Sequence, residues 1–256
     1  MNILALKLIM VPIILGGASL AGRRWGPMIS GWLIGLPLTS GPVAFFVAFS
    51  HDSAFLKSTI LGTLSGGLPL VIFILSYAWM AVRFRWQAAL AVSIFSFILA
   101  TLVMQFIVLP LFLIFLLVLL AILLGLRLMP AIDQAEINHT PPGKWDLPAR
   151  IILGTCFILI ITGIAPYIGA RLTGLLSTIP LFTAILTIFA HRLQGPSGAT
   201  SVLKGLLYGL FGFAGFYLVL ALSLEPLGLG FSFISATLAA IFIQGFSFLL
   251  IRKLRL

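Results

Sequence analysis

The feature that most limits this chain is a long run without charge. From Trp86 to Leu128, 43 residues, no charged side chain occurs before Arg127. A helix crosses the hydrocarbon core of a bilayer with about 20 mostly apolar residues. The run is therefore two membrane thicknesses long, and Pro110 is placed to turn the chain and open the second helix. The rest of the sequence has the same character: 61% of the 256 residues are apolar and 8% are charged. An average soluble domain has about 45–50% and about 25%. Too few charges remain to solvate a water-soluble surface, so a soluble enzyme, a disordered chain and a disulfide scaffold are excluded. The single Cys156 cannot form an internal disulfide.

Nine apolar stretches can be drawn, at 3–21, 28–50, 56–82, 87–106, 109–128, 149–168, 172–190, 201–224 and 229–251. With that count, twelve of the fifteen basic residues fall on one side, among them Arg23, Arg24, Arg83, Arg85, Arg127 and Arg192. Lys7, Lys57 and Arg171 fall on the other. Loops rich in Lys and Arg are held in the cytoplasm, so the reading is an all-α, multi-pass protein of the cytoplasmic (inner) membrane. Its N-terminus is outside and its C-terminus cytoplasmic. The net charge of +10 then belongs to loops facing anionic lipid rather than to nucleic acid. Arg23 and Arg24 follow the first apolar run, whereas a signal peptide carries its positive charge before it. The first stretch is thus expected to be retained as a helix.

Residues 129–148 contain two prolines and mixed charges and read as a cytoplasmic linker. It divides a first unit with its linking helix, 1–128, from a second unit, 149–256. Asp133, Glu136 and His139 have helical spacing, but no further His or Cys converges on them. They are read as a solvated face, not a metal site. No cofactor is expected.

The two units echo each other. At one constant offset, Gly31, Leu33, Pro37, Leu38 and Phe46 match Gly174, Leu176, Pro180, Leu181 and Phe189. His51 and His191 follow. After a longer loop in the second unit, Leu56-Lys57 with Gly62 match Leu203-Lys204 with Gly209. Five crossings before the second copy would turn it upside down, giving inverted-topology repeats joined by an extra helix. That arrangement is typical of secondary transporters. The stretch Gly174–His191 with Val202-Leu203-Lys204-Gly205 resembles the small GlpM-type integral membrane proteins, and Gly31–Gly62 does so more loosely. The resemblance implies a duplicated form of that unit and carries over no mechanism or binding residue.

Proline inside a spanning helix removes a hydrogen bond and frees a carbonyl, which in hydrocarbon must find a partner or line a cavity. Pro37 with Thr39 and Ser40, and Pro180 with Ser177, Thr178 and Thr183, are therefore the candidate binding residues at two broken helices. His51 and His191 are candidate pH-sensitive groups. Gly31/Gly35, Gly62/Gly66 and Gly205/Gly209 have the four-residue spacing that permits close helix packing. Gln105 and Gln244 are expected to join helices. No Asp or Glu falls within a stretch, which disfavours coupling through a buried acid. Gly195-Pro196-Ser197-Gly198 has the Gly-x-Ser-Gly pattern of rhomboid-type proteases, but every histidine precedes Ser197 and the segment reads as a loop, so no enzyme is expected.

The function these features point to is a transporter or permease for a small solute, with its site between the two units. The rival is a structural or regulatory membrane subunit that binds lipid or a membrane partner and carries nothing. Membrane lipid is the expected partner in either case, and the chain admits a homodimer.

Overall fold

The computed structural model describes residues 8–10, 12–13, 16, 27–131 and 146–253. Every regular element among them is helical. The first stretch, 3–21, the Arg23-Arg24 pair and the linker residues Asp133, Glu136 and His139 lie largely or wholly outside the described residues.

Helices α1 (Pro27–Ile34) and α2 (Ser40–Ser50) are separated by residues 35–39. Asp52 accepts a hydrogen bond from the Phe55 amide at 2.8 Å and so caps α3 (Ser53–Ser65). This helix passes through Gly66 into α4 (Gly67–Ala81), and α5 (Trp86–Phe106) and α6 (Leu111–Leu128) follow. Further along the chain, α7 (Asp146–Ile168) is joined at Gly169 to α8 (Ala170–Leu176). Helical bonding then runs over Leu181–Lys253, but Gly195 (φ 69°) and Gly228 (φ 71°) leave the helical region. Positive φ is costly for any residue with a Cβ, so these glycines are where the rod can turn. They divide it into α9 (181–194), α10 (196–227) and α11 (229–253). Pro196 opens α10, where its missing N–H costs nothing. The Gly195–Gly198 segment, read from sequence as a loop, is thus a one-residue break followed directly by helix.

Among the described residues, five stretches are long and apolar enough to cross a bilayer: Ser53–Arg83, Trp86–Phe106, Leu111–Leu128, Ile151–Ile168 and Ala170–Ser247, the last interrupted at Gly195 and Gly228. Two of these form the centre. Ser53–Arg83 and Ala170–Ser247 are 72% buried over their most apolar window, against 22% for α5 and α6. In α6 the buried residues Ile114, Val118, Ile122 and Gly125 form one stripe, and Leu113, Leu116, Leu120 and Leu124 are exposed. A helix apolar on every side presents the remainder to lipid.

The α3–α4 rod and α10 run antiparallel. Lys57, near the start of α3, pairs with Glu225 near the end of α10. At the other end of the rod, Arg83 and Arg85 share a cleft with Gly195 and Pro196. The glycines sit at the closest crossings. A Cβ on Gly31 would overlap the Val202 carbonyl, and one on Gly35 would overlap the backbone of Gly209. Helix α1 therefore lies along α10 in the same direction. Likewise a Cβ on Gly62 would overlap the Arg171 carbonyl and one on Gly66 the Thr178 side chain, so α8 lies along α3. The two crossings correspond at two carbonyl contacts: the Met28 and Val202 carbonyls face Gly205 and Gly31 as the Arg171 and Thr59 carbonyls face Gly62 and Gly174. They relate Gly62 to Gly205, one helical turn from the Gly62–Gly209 match read from sequence. Small residues allow this approach, and dispersion between the backbones holds it. Gln244 on α11 donates to the Trp32 carbonyl of α1. Arg171 on α8 donates to the Met104 carbonyl at 2.9 Å and also to that of Ile107, satisfying acceptors at the end of α5. Gln244 joins helices as expected, but the Gln105 side-chain oxygen has no partner among the described residues.

Candidate functional site

Each short helix pair is interrupted by a proline, and the two interruptions share three hydrogen bonds. In the first, the Leu36 amide donates to Leu33 O at 3.2 Å and the Leu38 amide to Leu36 O at 2.7 Å. The Gly41 amide donates to Pro37 O at 2.8 Å. In the second, Ile179 donates to Leu176 O at 3.0 Å, Leu181 to Ile179 O at 2.8 Å and Ala184 to Pro180 O at 2.7 Å. In all three pairs, donor and acceptor are displaced by the interval that separates Gly31 from Gly174. The bond that skips one residue is that of a γ-turn, whose common form needs a moderately negative φ at its centre. The proline ring supplies it. Pro42 does not extend the first break; it sits in the first turn of α2.

The two breaks meet. A single cavity of about 40 Å³ is lined by Gly35, Leu36, Thr39 and Ser40 from the first and by Ser177, Thr178, Pro180 and Thr183 from the second. Leu70 of α4 and Leu206, Leu210 and Phe213 of α10 close its walls. Six of the seven candidate residues thus line one space. Pro37 does not: it faces an apolar groove of about 390 Å³ with Phe45, Phe216, Phe233 and Ile241. Pro180 lines the central cavity and also a second apolar groove, of about 330 Å³, with Phe73, Ile94, Ile98 and Leu102.

No charged side chain lines the cavity. Its chemistry comes from hydroxyls and backbone ends. Ser177 Oγ donates to Gly174 O at 2.6 Å and lies 3.2 Å from Thr63 Oγ1. Thr178 Oγ1 reaches Leu175 O at 2.7 Å and Gly66 O at 3.3 Å, tying α8 to the α3–α4 junction. Behind Ser40 is the fully buried Tyr217. Its hydroxyl sits beside those of Ser40 and Thr63 without a hydrogen bond of good geometry. Among the described residues, the amides of Thr39 and Ser40, and of Phe182 and Thr183, donate to no backbone acceptor. They are the orphan donors of the first turns of α2 and α9, at the positive ends of those helices. A polar solute without net charge finds donors and acceptors here, whereas an ion would find no countercharge against its desolvation.

Thr63 and Tyr217 escaped the sequence reading. Their signal is present: Thr59 and Thr63 are four residues apart on an apolar helix, and Tyr217 puts a hydroxyl in the middle of another. Such groups are expensive in hydrocarbon unless turned inward.

Neither candidate histidine lines the cavity. His51 ends α2 and stacks on Phe55, ring centres 4.1 Å apart. His191 lies in the cleft near Arg83, with Nδ1 3.4 Å from the Tyr77 hydroxyl. Ser197 donates back to Gln194 O at 3.1 Å, a local helical contact. Among the described residues no group of three His, Cys, Asp or Glu converges. Comparison with known proteins supplies no relative: no family model matches, nor does any curated protein or solved structure at a significant level.

Proposed function

We propose that this chain is a transporter for a small polar solute, built from two inverted repeats of four crossings joined by α6. The observation that carries the reading is the meeting of two proline breaks, which share three turn bonds, at one hydroxyl-lined cavity between the units. The directions of the helices support it. Since α1 follows α10, α8 follows α3, and α10 opposes α3–α4, the two broken helices point in opposite senses. Inverted repeats with discontinuous helices that meet near the midplane are a transporter architecture. In this reading the chain crosses nine times, with its N-terminus outside and its C-terminus in the cytoplasm.

The cavity holds only a few waters, since each needs roughly 10–15 Å³ of such space. This conformation therefore has no room for a solute larger than a few waters. Transport would require the α1–α2 and α8–α9 breaks to part from α10 and α3 alternately, exposing Ser40 and Ser177 in turn. The apolar grooves behind Pro37 and Pro180 give each break room to move without opening a polar path to lipid.

Cysteine accessibility tests the reading. In a Cys156→Ser background, Ser40→Cys and Ser177→Cys should each react slowly with a small membrane-impermeant thiol reagent. Reaction from one side should fall when reaction from the other rises. Complete protection of both positions in sealed vesicles of either orientation would favour the non-transporting scaffold.

A further inference from the structure

A second site lies away from the cavity, at the basic end of the bundle. The turn between α4 and α5 and the break at Gly195 border an open surface cleft of about 490 Å³, lined by Arg83, Arg85, Trp86, Gln87, His191 and Pro196. Arg83 and Arg85 are exposed, and among the described residues neither is paired with an acid. The ion pair Lys57–Glu225 is at the opposite end of the Ser53–Arg83 rod, roughly 40 Å away at 1.5 Å per residue. Two helix starts add to the positive field. Arg85 precedes α5 without a side-chain cap, and Pro196 opens α10.

The surroundings choose between a free anion and an amphiphile. Immediately beside the arginines the surface is apolar: Val82, Phe84 and Trp79 are 45%, 51% and 56% exposed. Trp79 is fixed there by donating to Leu128 O at 3.0 Å, as indoles are at the headgroup level of membranes. Cationic cleft and apolar flank together match the two ends of one molecule. We propose that this cleft seats the phosphate headgroup of an anionic phospholipid, with its acyl chains lying over Val82 and Phe84. Guanidinium groups suit phosphate because their planar donors engage two oxygens at once. The site is independent of the transport reading and would serve a scaffold equally.

The test is lipid titration of the detergent-solubilised full chain, followed by native mass spectrometry. Phosphatidylglycerol should bind at several-fold lower concentration than phosphatidylcholine. Each arginine near an anionic headgroup is worth about fivefold in binding, so Arg83→Gln with Arg85→Gln should weaken phosphatidylglycerol binding by about 30-fold. Lys57→Gln, at the far end, should leave it unchanged. Both arginines are exposed, so the fold should survive, and Arg83→Gln alone, with about a fivefold loss, serves if the double variant does not fold. Equal binding of the two lipids would overturn the proposal, as would wild-type affinity in the arginine variants. Displacement of phosphatidylglycerol by millimolar inorganic phosphate would also overturn it, assigning the cleft to a free anion.

Discussion

Replacing Gly205 by alanine tests the helix crossing on which the architecture depends. The added methyl would overlap the Met28 carbonyl oxygen and meet the Trp32 amide nitrogen at 3.0 Å. Both are backbone atoms, which cannot swing aside as a side chain can. To recover ordinary contact, α1 and α10 must separate by roughly 1.5 Å, which forfeits dispersion along the whole crossing. Overpacking of this kind costs about 1–3 kcal/mol, partly offset by the better helix propensity of alanine, about 0.5–1 kcal/mol. At about 2–4 °C per kcal/mol for a chain of this size, thermal unfolding in detergent should fall by several degrees. Gly163 on α7 is the internal control, because nothing lies within 4 Å of a Cβ there. Gly163→Ala keeps only the propensity gain, so its midpoint should rise by about 1–4 °C. The Gly31→Ala/Gly205→Ala double variant should cost less than the sum, since the first methyl has already moved the helices apart. A Gly205→Ala midpoint raised as much as that of Gly163→Ala would refute the close approach of α1 to α10.

Arg171→Gln should destabilise the chain by about 1.5–3 kcal/mol, because it removes charge-assisted bonds to the carbonyls at the end of α5. Faster hydrogen exchange at residues 104–107 would locate the effect, and unchanged exchange there would count against it. A double-mutant cycle on Thr63→Ala and Ser177→Ala should give a coupling of only about 0.6 kcal/mol. Each hydroxyl also bonds its own helix, at Thr59 O and Gly174 O, and a coupling several times larger would contradict that shared bonding. Reporter fusions after Asp133 and Leu256 should both read cytoplasmic, and one inserted at Val108 should read external. A different result at any of the three would remove the nine-crossing scheme.

Much of this protein was legible in its sequence because hydrocarbon is an unforgiving solvent. The uncharged run from Trp86 to Leu128 dictates helices, since only they satisfy their backbone internally. Pro37 and Pro180 mark the breaks because a missing amide cannot be compensated silently there. Glycine at 31, 35, 62, 205 and 209 marks helix crossings, though sequence does not say which helix is crossed. The partners, α1 with α10 and α8 with α3, were decided by tertiary packing. So was the convergence of Ser40, Ser177 and Thr178 on one cavity, with Thr63 and Tyr217 set behind them on central helices. Likewise Arg83 and Arg85 are legible as a basic loop, but only the turn at Gly195 makes a cleft of them. Local chemistry fixes where a helix starts, breaks or stays apolar, whereas the distance between residues far apart in the chain follows from how whole helices pack, and no short stretch of sequence carries that information.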